Sequence, residues 1–251
     1  MYYKKIEKIL NNEGFILKYY ESIQSTMGTI KELIESDNNC FFVIAGSQTK
    51  GKGRRGNVWY SPKGNIYISF NVNMLIDIKD HFIFNALATL SISKTIDSLC
   101  NVTSYIKWPN DVLVNGKKIS GVITEIIKHK KNNYVIIGIG INVESSPSNI
   151  MYPTTYTKEI NQKSKKIDII EKFIENYFKE NKKINDYSFK RILTEYKKKL
   201  LYLKQNIKLE LEDSLFIKGK FEDINLDGSM IINIQGKKKN VYTARIIDAC
   251  N

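Results

Sequence analysis

Apolar residues recur at helical spacing through YYKKIEKILNN (residues 2–12), and the run ends before Gly14, which predicts a short helix. FILKYY follows with strand character. Ser25 or a neighbour is then the expected N-cap of the helical pattern TMGTIKELIE. CFFVIAGSQ predicts a buried strand running into a glycine-rich loop, and NIYISFNVNM (65–74) alternates as a strand does. HFIFNALATLSISKTIDSLC (81–100) has the length and periodicity of a core helix. SYIKWPND predicts a strand that stops at Pro109, because proline cannot donate to a ladder. In DVLVNGKKISGVITEII two strand patterns flank Asn115-Gly116, the strongest short hairpin signal. NYVIIGIGINV is another strand, ESSPSNIMYPTTY a polar loop, and residues 167–184 and 187–201 are two helices. From about residue 204 short strands alternate with turns at Asp227-Gly228 and Gln235-Gly236. The expected organisation is an α+β domain over 1–203 and a small all-β domain over 204–251.

Composition narrows the class. The chain is 42% hydrophobic and 26% charged, as globular proteins are. No run approaches the roughly 18 apolar residues of a membrane span, and MYYKKIEKILNNEG lacks the apolar core of a secretory signal, so a cytoplasmic location is expected. Cys40, Cys100 and Cys250 are too scattered for a disulfide framework or a zinc site, and neither His81 nor His129 lies in a ligand motif. The net charge of +13 invites a nucleic-acid reading. The excess is evenly spread, however: 18 basic against 12 acidic residues through position 150, and 21 against 14 beyond it. No helix-turn-helix, stacking aromatic set or concentrated basic patch accompanies it, so a DNA-binding module is disfavoured. Only Arg54, Arg55, Arg191 and Arg245 are arginines, which makes the adjacent pair conspicuous.

That pair lies in GKGRRGNVWYSPKGN, where Gly51, Gly53 and Gly56 have the G-x-G-x-x-G spacing. A dinucleotide fold needs a helix directly after its glycines, and here a proline and a strand follow. A kinase needs a lysine on the next strand together with H-R-D and D-F-G elements, and IYISF and the rest of the chain have none of them. What remains is a strand–loop–strand connection carrying Lys52, Arg54 and Arg55. Its glycines permit close backbone approach to an anion, and its arginines offer planar forks for carboxylate or phosphate. An ordinary flexible hairpin fits the same residues. Without a ligand, such a loop is expected to be mobile.

A second cluster is KWPNDVLVNGKKISGVITE. A lone lysine, Lys107, on an otherwise apolar strand implies an anion that offsets its desolvation. Asn110 and Asp111 follow Pro109 at a turn, where they can reach a ligand or Mg²⁺ or simply form the turn.

Taken in order, Ser25-Thr26, SQTKGKGRRGNVWYSPKGNIYIS, KWPNDVLVNGKKISGVITE and IGIGINV resemble the biotin protein ligase family over roughly residues 15–145, and 204–251 resembles that family's small cap more weakly. The resemblance implies an α+β fold: a mixed-sheet catalytic domain of the biotin/lipoate ligase type with a small C-terminal SH3-like β-barrel. It leaves no room for the winged helix-turn-helix that some members carry, and it allows a homodimer paired through sheet edges. It also implies an enzyme that joins biotin to ATP, supplied with Mg²⁺, as biotinyl-5′-AMP. The biotinyl group then passes to a lysine of a biotin carboxyl carrier domain, that of acetyl-CoA carboxylase or a related carboxylase. No structural metal is expected. By the same resemblance Lys107 bridges the biotin carboxylate and the α-phosphate, with Arg54 sharing that task. Ser25 and Thr26 meet the ureido end, while Gln48, Gly51, Lys52 and Gly53 close over it and Gly121 leaves room. Arg55, Trp59, Asn110 and Asn142 serve the adenylate, and Asp111 assists Mg²⁺. Lys52 departs from the arginine usual at the second position of the glycine motif and lacks its bidentate fork. A lipoate–protein ligase is the nearest rival, and the GKGRRG and KWPND texts favour biotin.

Overall fold

Large aliphatic residues on both faces of the middle strands call for cover on both sides of a sheet. The computed structural model describes residues 3–73, 81–148, 150, 152–181, 186–211 and 215–249. The expected positions Tyr2, Met74, residues 182–184 and Cys250 lie outside them. In chain order the elements are α1 (Lys4–Asn12), β1 (Phe15–Tyr20), α2 (Thr26–Ser36), β2 (Cys40–Ala45), β3 (Ile66–Asn73) and α3 (Phe82–Cys100). Next come β4 (Ser104–Lys107), β5 (Asp111–Val114), β6 (Lys117–His129), β7 (Asn132–Ile141), α4 (Thr157–Ile160), α5 (Lys166–Asn181) and α6 (Asp186–Lys199). The chain ends with β8 (Asn206–Glu210), β9 (Phe216–Ile224), β10 (Met230–Ile234), β11 (Lys237–Val241) and β12 (Arg245–Ala249).

Seven strands form one mixed sheet in the order β1-β2-β3-β7-β6-β5-β4. The β1–β2 pair is parallel and the other pairs are antiparallel. Alternation assigns the two faces. Phe42, Ile44, Ile68, Phe70, Val135 and Ile137 join the main core with α1, α3, α5 and α6. Phe41, Val43, Tyr134 and Ile136 point the other way and pack against Met27, Ile30 and Ile34 of α2. Further along that second face β7 presents Gly138 and Gly140, so the apolar cover stops and a floor of bare backbone begins.

Two expectations need adjustment. The strand expected to run to Pro109 ends at Lys107, because Asn110 N–H closes a turn on the Lys107 carbonyl at 3.2 Å. The polar stretch 144–156 is non-helical where it is described, as expected, and the short helix α4 follows it from Thr157. The five C-terminal strands form an antiparallel sheet ordered β11-β10-β9-β8-β12, which is open among the described residues. The three-residue connection 242–244 leads β12 to the far side, where it pairs with β8 and leaves β11 at the opposite edge. Among the described residues these strands therefore do not close into a barrel. This sheet shares the main core through Phe221, Met230 and Ile232, and Trp108 Nε1 donates to the Gly228 carbonyl at 2.9 Å.

Candidate active site

One row of cross-strand partners organises the site. Lys107 pairs with Asp111, Asp111 with Gly121, Gly121 with Gly140, and Gly140 with Tyr67. The row lies on the face that the main helices leave free. It therefore holds two cationic or acidic side chains beside two residues that contribute only backbone. Above it opens a cavity of about 960 Å³. Ser25, Thr26, Gln48, Lys52, Gly53, Arg54, Arg55, Trp59, Lys107, Asn110, Asp111 and Gly121 all line it, so the structure brings most of the expected residues together.

The polar end is pre-arranged. Ser25 caps α2, its Oγ accepting from Gly28 N–H at 3.5 Å, and this places Thr26 at the first helical position. Gln48 Oε1 accepts from Thr26 N–H at 2.8 Å and from its hydroxyl at 3.1 Å, while Gln48 Nε2 donates to Ser61 Oγ at 3.0 Å. Ser69, on the site face of β3, donates to Thr26 Oγ1 at 2.7 Å. The side-chain order is thus fixed before any ligand arrives.

The opposite end is cationic. Burial pushes the Lys107 ammonium below its ordinary range, with Asp111 opposing and Arg245 and Lys118 adding to the fall. Burial likewise lowers Arg54, whose Nη1 donates to Asn110 Oδ1 at 3.1 Å. Asn110 is held in turn by donating to the Val122 carbonyl at 2.5 Å. Desolvated cations of this kind gain from a bound anion more than hydrated ones do.

The glycine segment forms a small hairpin. Lys52 bridges Val58, Gly53 N–H reaches the Asn57 carbonyl at 2.7 Å, and Trp59 N–H reaches Gly51 at 3.0 Å. Gly51 lies outside the cavity lining. A Cβ there would stand 2.4 Å from the Trp59 carbonyl, so its role is to let the base of the hairpin close. The Trp59 ring rests on the two glycines of the row: a Cβ on Gly140 would come within 2.4 Å of it, and one on Gly121 within 3.1 Å. Its buried Nε1 has no acceptor among the described residues, an unmet demand that a ligand atom can satisfy.

Asn142 is not brought to the main cavity. It lines a separate pocket of about 60 Å³ that shares Trp59, Lys118 and Tyr152 with the larger one. Its Nδ2 donates to the Thr155 carbonyl at 3.0 Å, which ties down the chain after β7. Asp111 accepts an ion pair from Lys118 at 2.8 Å, and no group of three metal-ligating side chains occurs among the described residues.

Lys118 is the residue that sequence reading missed. Its ammonium lies 5.1 Å from the Trp59 ring centroid and 5.2 Å from that of Tyr152. Strict alternation back from Gly121 sends residue 118 to the helix side. A bulge opposite Val112 and Leu113 breaks the count and turns Lys118 into the cavity. The C-terminal sheet adds Glu210, Arg245 and Ile247 to the lining, and Arg245 Nε donates to Glu210 at 2.5 Å. Three of the four arginines of the chain therefore line one cavity.

The chain is similar to known proteins in sequence and fold. The Biotin/lipoate A/B protein ligase family matches residues 19–142, a span reaching from the end of β1 to the residue after β7. The chain is 28% identical over 243 residues to the bifunctional ligase/repressor BirA of Bacillus subtilis, covering 93% of this chain and 74% of that protein. A biotin protein ligase from Aquifex aeolicus, solved in complex with biotin and ATP, is 29% identical. Its superposition covers 92% of this chain and 97% of that one with a TM-score of 0.72. The Leishmania major biotin protein ligase, solved with biotinyl-5-AMP, shares the fold at 20% identity and a TM-score of 0.65. The matched span carries the Lys107–Gly140 row and the glycine hairpin above it, and by that span and the fold built on it this chain belongs to the biotin/lipoate A/B protein ligase family.

Proposed function

We propose that the protein is an ATP-dependent biotin protein ligase that forms biotinyl-5′-AMP and then transfers the biotinyl group to a carrier lysine. The convergence of Lys107, Arg54 and Lys118 on one cavity, beside the ordered Ser25–Thr26–Gln48 end, carries this reading. In the first step a carboxylate oxygen of biotin attacks the α-phosphorus of ATP. The new acyl–phosphate bond forms as the bond to the β-phosphate oxygen breaks, and pyrophosphate leaves. Two anions must meet, so the cations suppress repulsion and stabilise the charge that spreads in the transition state. Lys107 and Arg54 take that role, with Lys118 held ready by Asp111. Trp59 supplies the wall for the adenylate, and Arg55 and Asn142 border it. Asp111 would help to hold Mg²⁺ delivered with the nucleotide, and the ion would supply further neutralisation of the phosphate charge.

In the second step the neutral amine of the acceptor lysine attacks the acyl carbon, an amide forms and AMP leaves. The acceptor is a biotin carboxyl carrier domain. Residues 1–203 act as the catalytic domain and 204–251 as its cap. Pairing of two copies through sheet edges fits the exposed edge of β1.

Mixing the protein with Mg-ATP and either biotin or lipoate, without a carrier, tests the reading by mass spectrometry. Biotinyl-adenylate is expected. Lipoyl-adenylate instead would redirect the substrate, and the absence of both would overturn the reaction.

Two expected outcomes follow from the cations. A bound carboxylate or phosphate raises the Lys107 pKa from its lowered position in the free protein. Ligand binding therefore takes up protons in the alkaline window between those two values, and affinity falls as pH rises through it. Calorimetry in buffers of different ionisation enthalpy reads this directly, and identical enthalpies throughout that window would count against it. Lys52, exposed on the hairpin, keeps the charge of the arginine usual in the family but not its fork. Lys52→Arg is expected to release biotinyl-adenylate more slowly than the native chain in a chase experiment, and equal rates would remove the effect.

A further inference from the structure

We infer that Thr243, in the C-terminal sheet, is a positioning residue that latches the glycine hairpin and slows escape of the adenylate; this rests on the adenylate-forming reading above. The two adjacent arginines at the hairpin tip part company. Arg54 turns to Asn110 of the catalytic sheet, whereas Arg55 Nε donates to Thr243 Oγ1 at 3.2 Å. The divergence comes from the backbone. Arg55 has φ 55° and Gly56 φ 73°, two left-handed residues in succession, and the first is uncommon for a side chain with a Cβ.

Thr243 lies in the short connection from β11 to β12 and does not line the cavity itself. The next two residues, Ala244 and Arg245, do. The hairpin is closed on itself by Gly53 N–H to the Asn57 carbonyl and Asn57 N–H to the Arg54 carbonyl, so its tip moves as a unit. Lifting that unit off the cavity breaks the Arg55–Thr243 bond. The latch thus joins a segment more than 180 residues away to the roof of the site.

The test uses the full chain. Thr243→Val keeps the shape and removes the acceptor. Its release of preformed biotinyl-adenylate, followed by chase with unlabelled ligand, is expected to rise about two- to tenfold, the range for one lost hydrogen bond. Single-turnover adenylate formation at saturating substrate is expected to stay unchanged, and Thr243→Ser is expected to restore slow release. In the ligand-free protein, hydrogen exchange at Gly53 and Asn57 is expected to quicken in Thr243→Val. Release and exchange both equal to the native chain would overturn the latch, as would a Thr243→Ser variant as fast as Thr243→Val. A native chain that forms no adenylate would instead overturn the reaction, and the exchange measurement would still decide the latch.

Discussion

Lys107→Met is expected to lower the rate of biotinyl-adenylate formation by about 10²–10³-fold, the usual consequence of removing one preorganised group aimed at developing charge. The thioether keeps most of the volume of the lysine stem, so the strand should pack as before. The fold should also gain slightly. Burial lowers the Lys107 pKa below that of an unfolded chain, which means that keeping the ammonium charged at neutral pH works against folding. A methionine removes that opposition. Urea denaturation should therefore find a variant at least as stable as the native protein, while pyrophosphate release nearly stops. Loss of activity together with loss of stability would mean that Lys107 holds the strand rather than the substrate.

Gly140→Ala has the next largest expected effect. The added methyl would stand 2.4 Å from the Trp59 indole, closer than any real contact, and Gly121 bounds the same ring on the neighbouring strand. The ring must lift into the space reserved for the adenylate. Overpacking of this size costs about 1–3 kcal/mol, or roughly a tenfold or greater rise in the KM for ATP. Gly138→Ala, on the same face of β7, meets the Met27 thioether instead, and that unbranched side chain can turn aside. ATP binding should be spared there. Equal damage to ATP binding from both alanines would show that the strand, not the indole, is the sensitive part.

Much of this was legible because local chemistry decided it. Asn115 and Gly116 adopt φ 50° and 73°, as the hairpin between β5 and β6 requires, and Ser25 caps α2 because its oxygen can take an orphan amide. Lys107 declared itself by being the one charge on an apolar strand. Other parts were set by relations that no local window contains. The bulge that turns Lys118 inward depends on how β5 and β6 slip past one another. Arg245 reaches the cavity, and Thr243 the glycine hairpin, only because the C-terminal sheet docks through Phe221, Met230 and the Trp108–Gly228 bond. The placing of Asn142 depends on a relation of the same kind. It donates to the Thr155 carbonyl, a partner that only the fold of the following chain supplies.

The row from Lys107 to Gly140 also makes activity a measure of strand register. A slip of one residue between β6 and β7 would bring Ser120 or Val122 beside Gly140 under Trp59 in place of Gly121. A slip that inverted β4 would send Lys107 toward the helices and Ile106 toward the ligand. Each slip removes a group that the first step needs, so a misaligned chain is expected to be silent rather than slow. In a refolded sample, adenylate formed per molecule in the first turnover would then count correctly threaded chains, a titration of native protein that compactness or secondary-structure content alone could not provide.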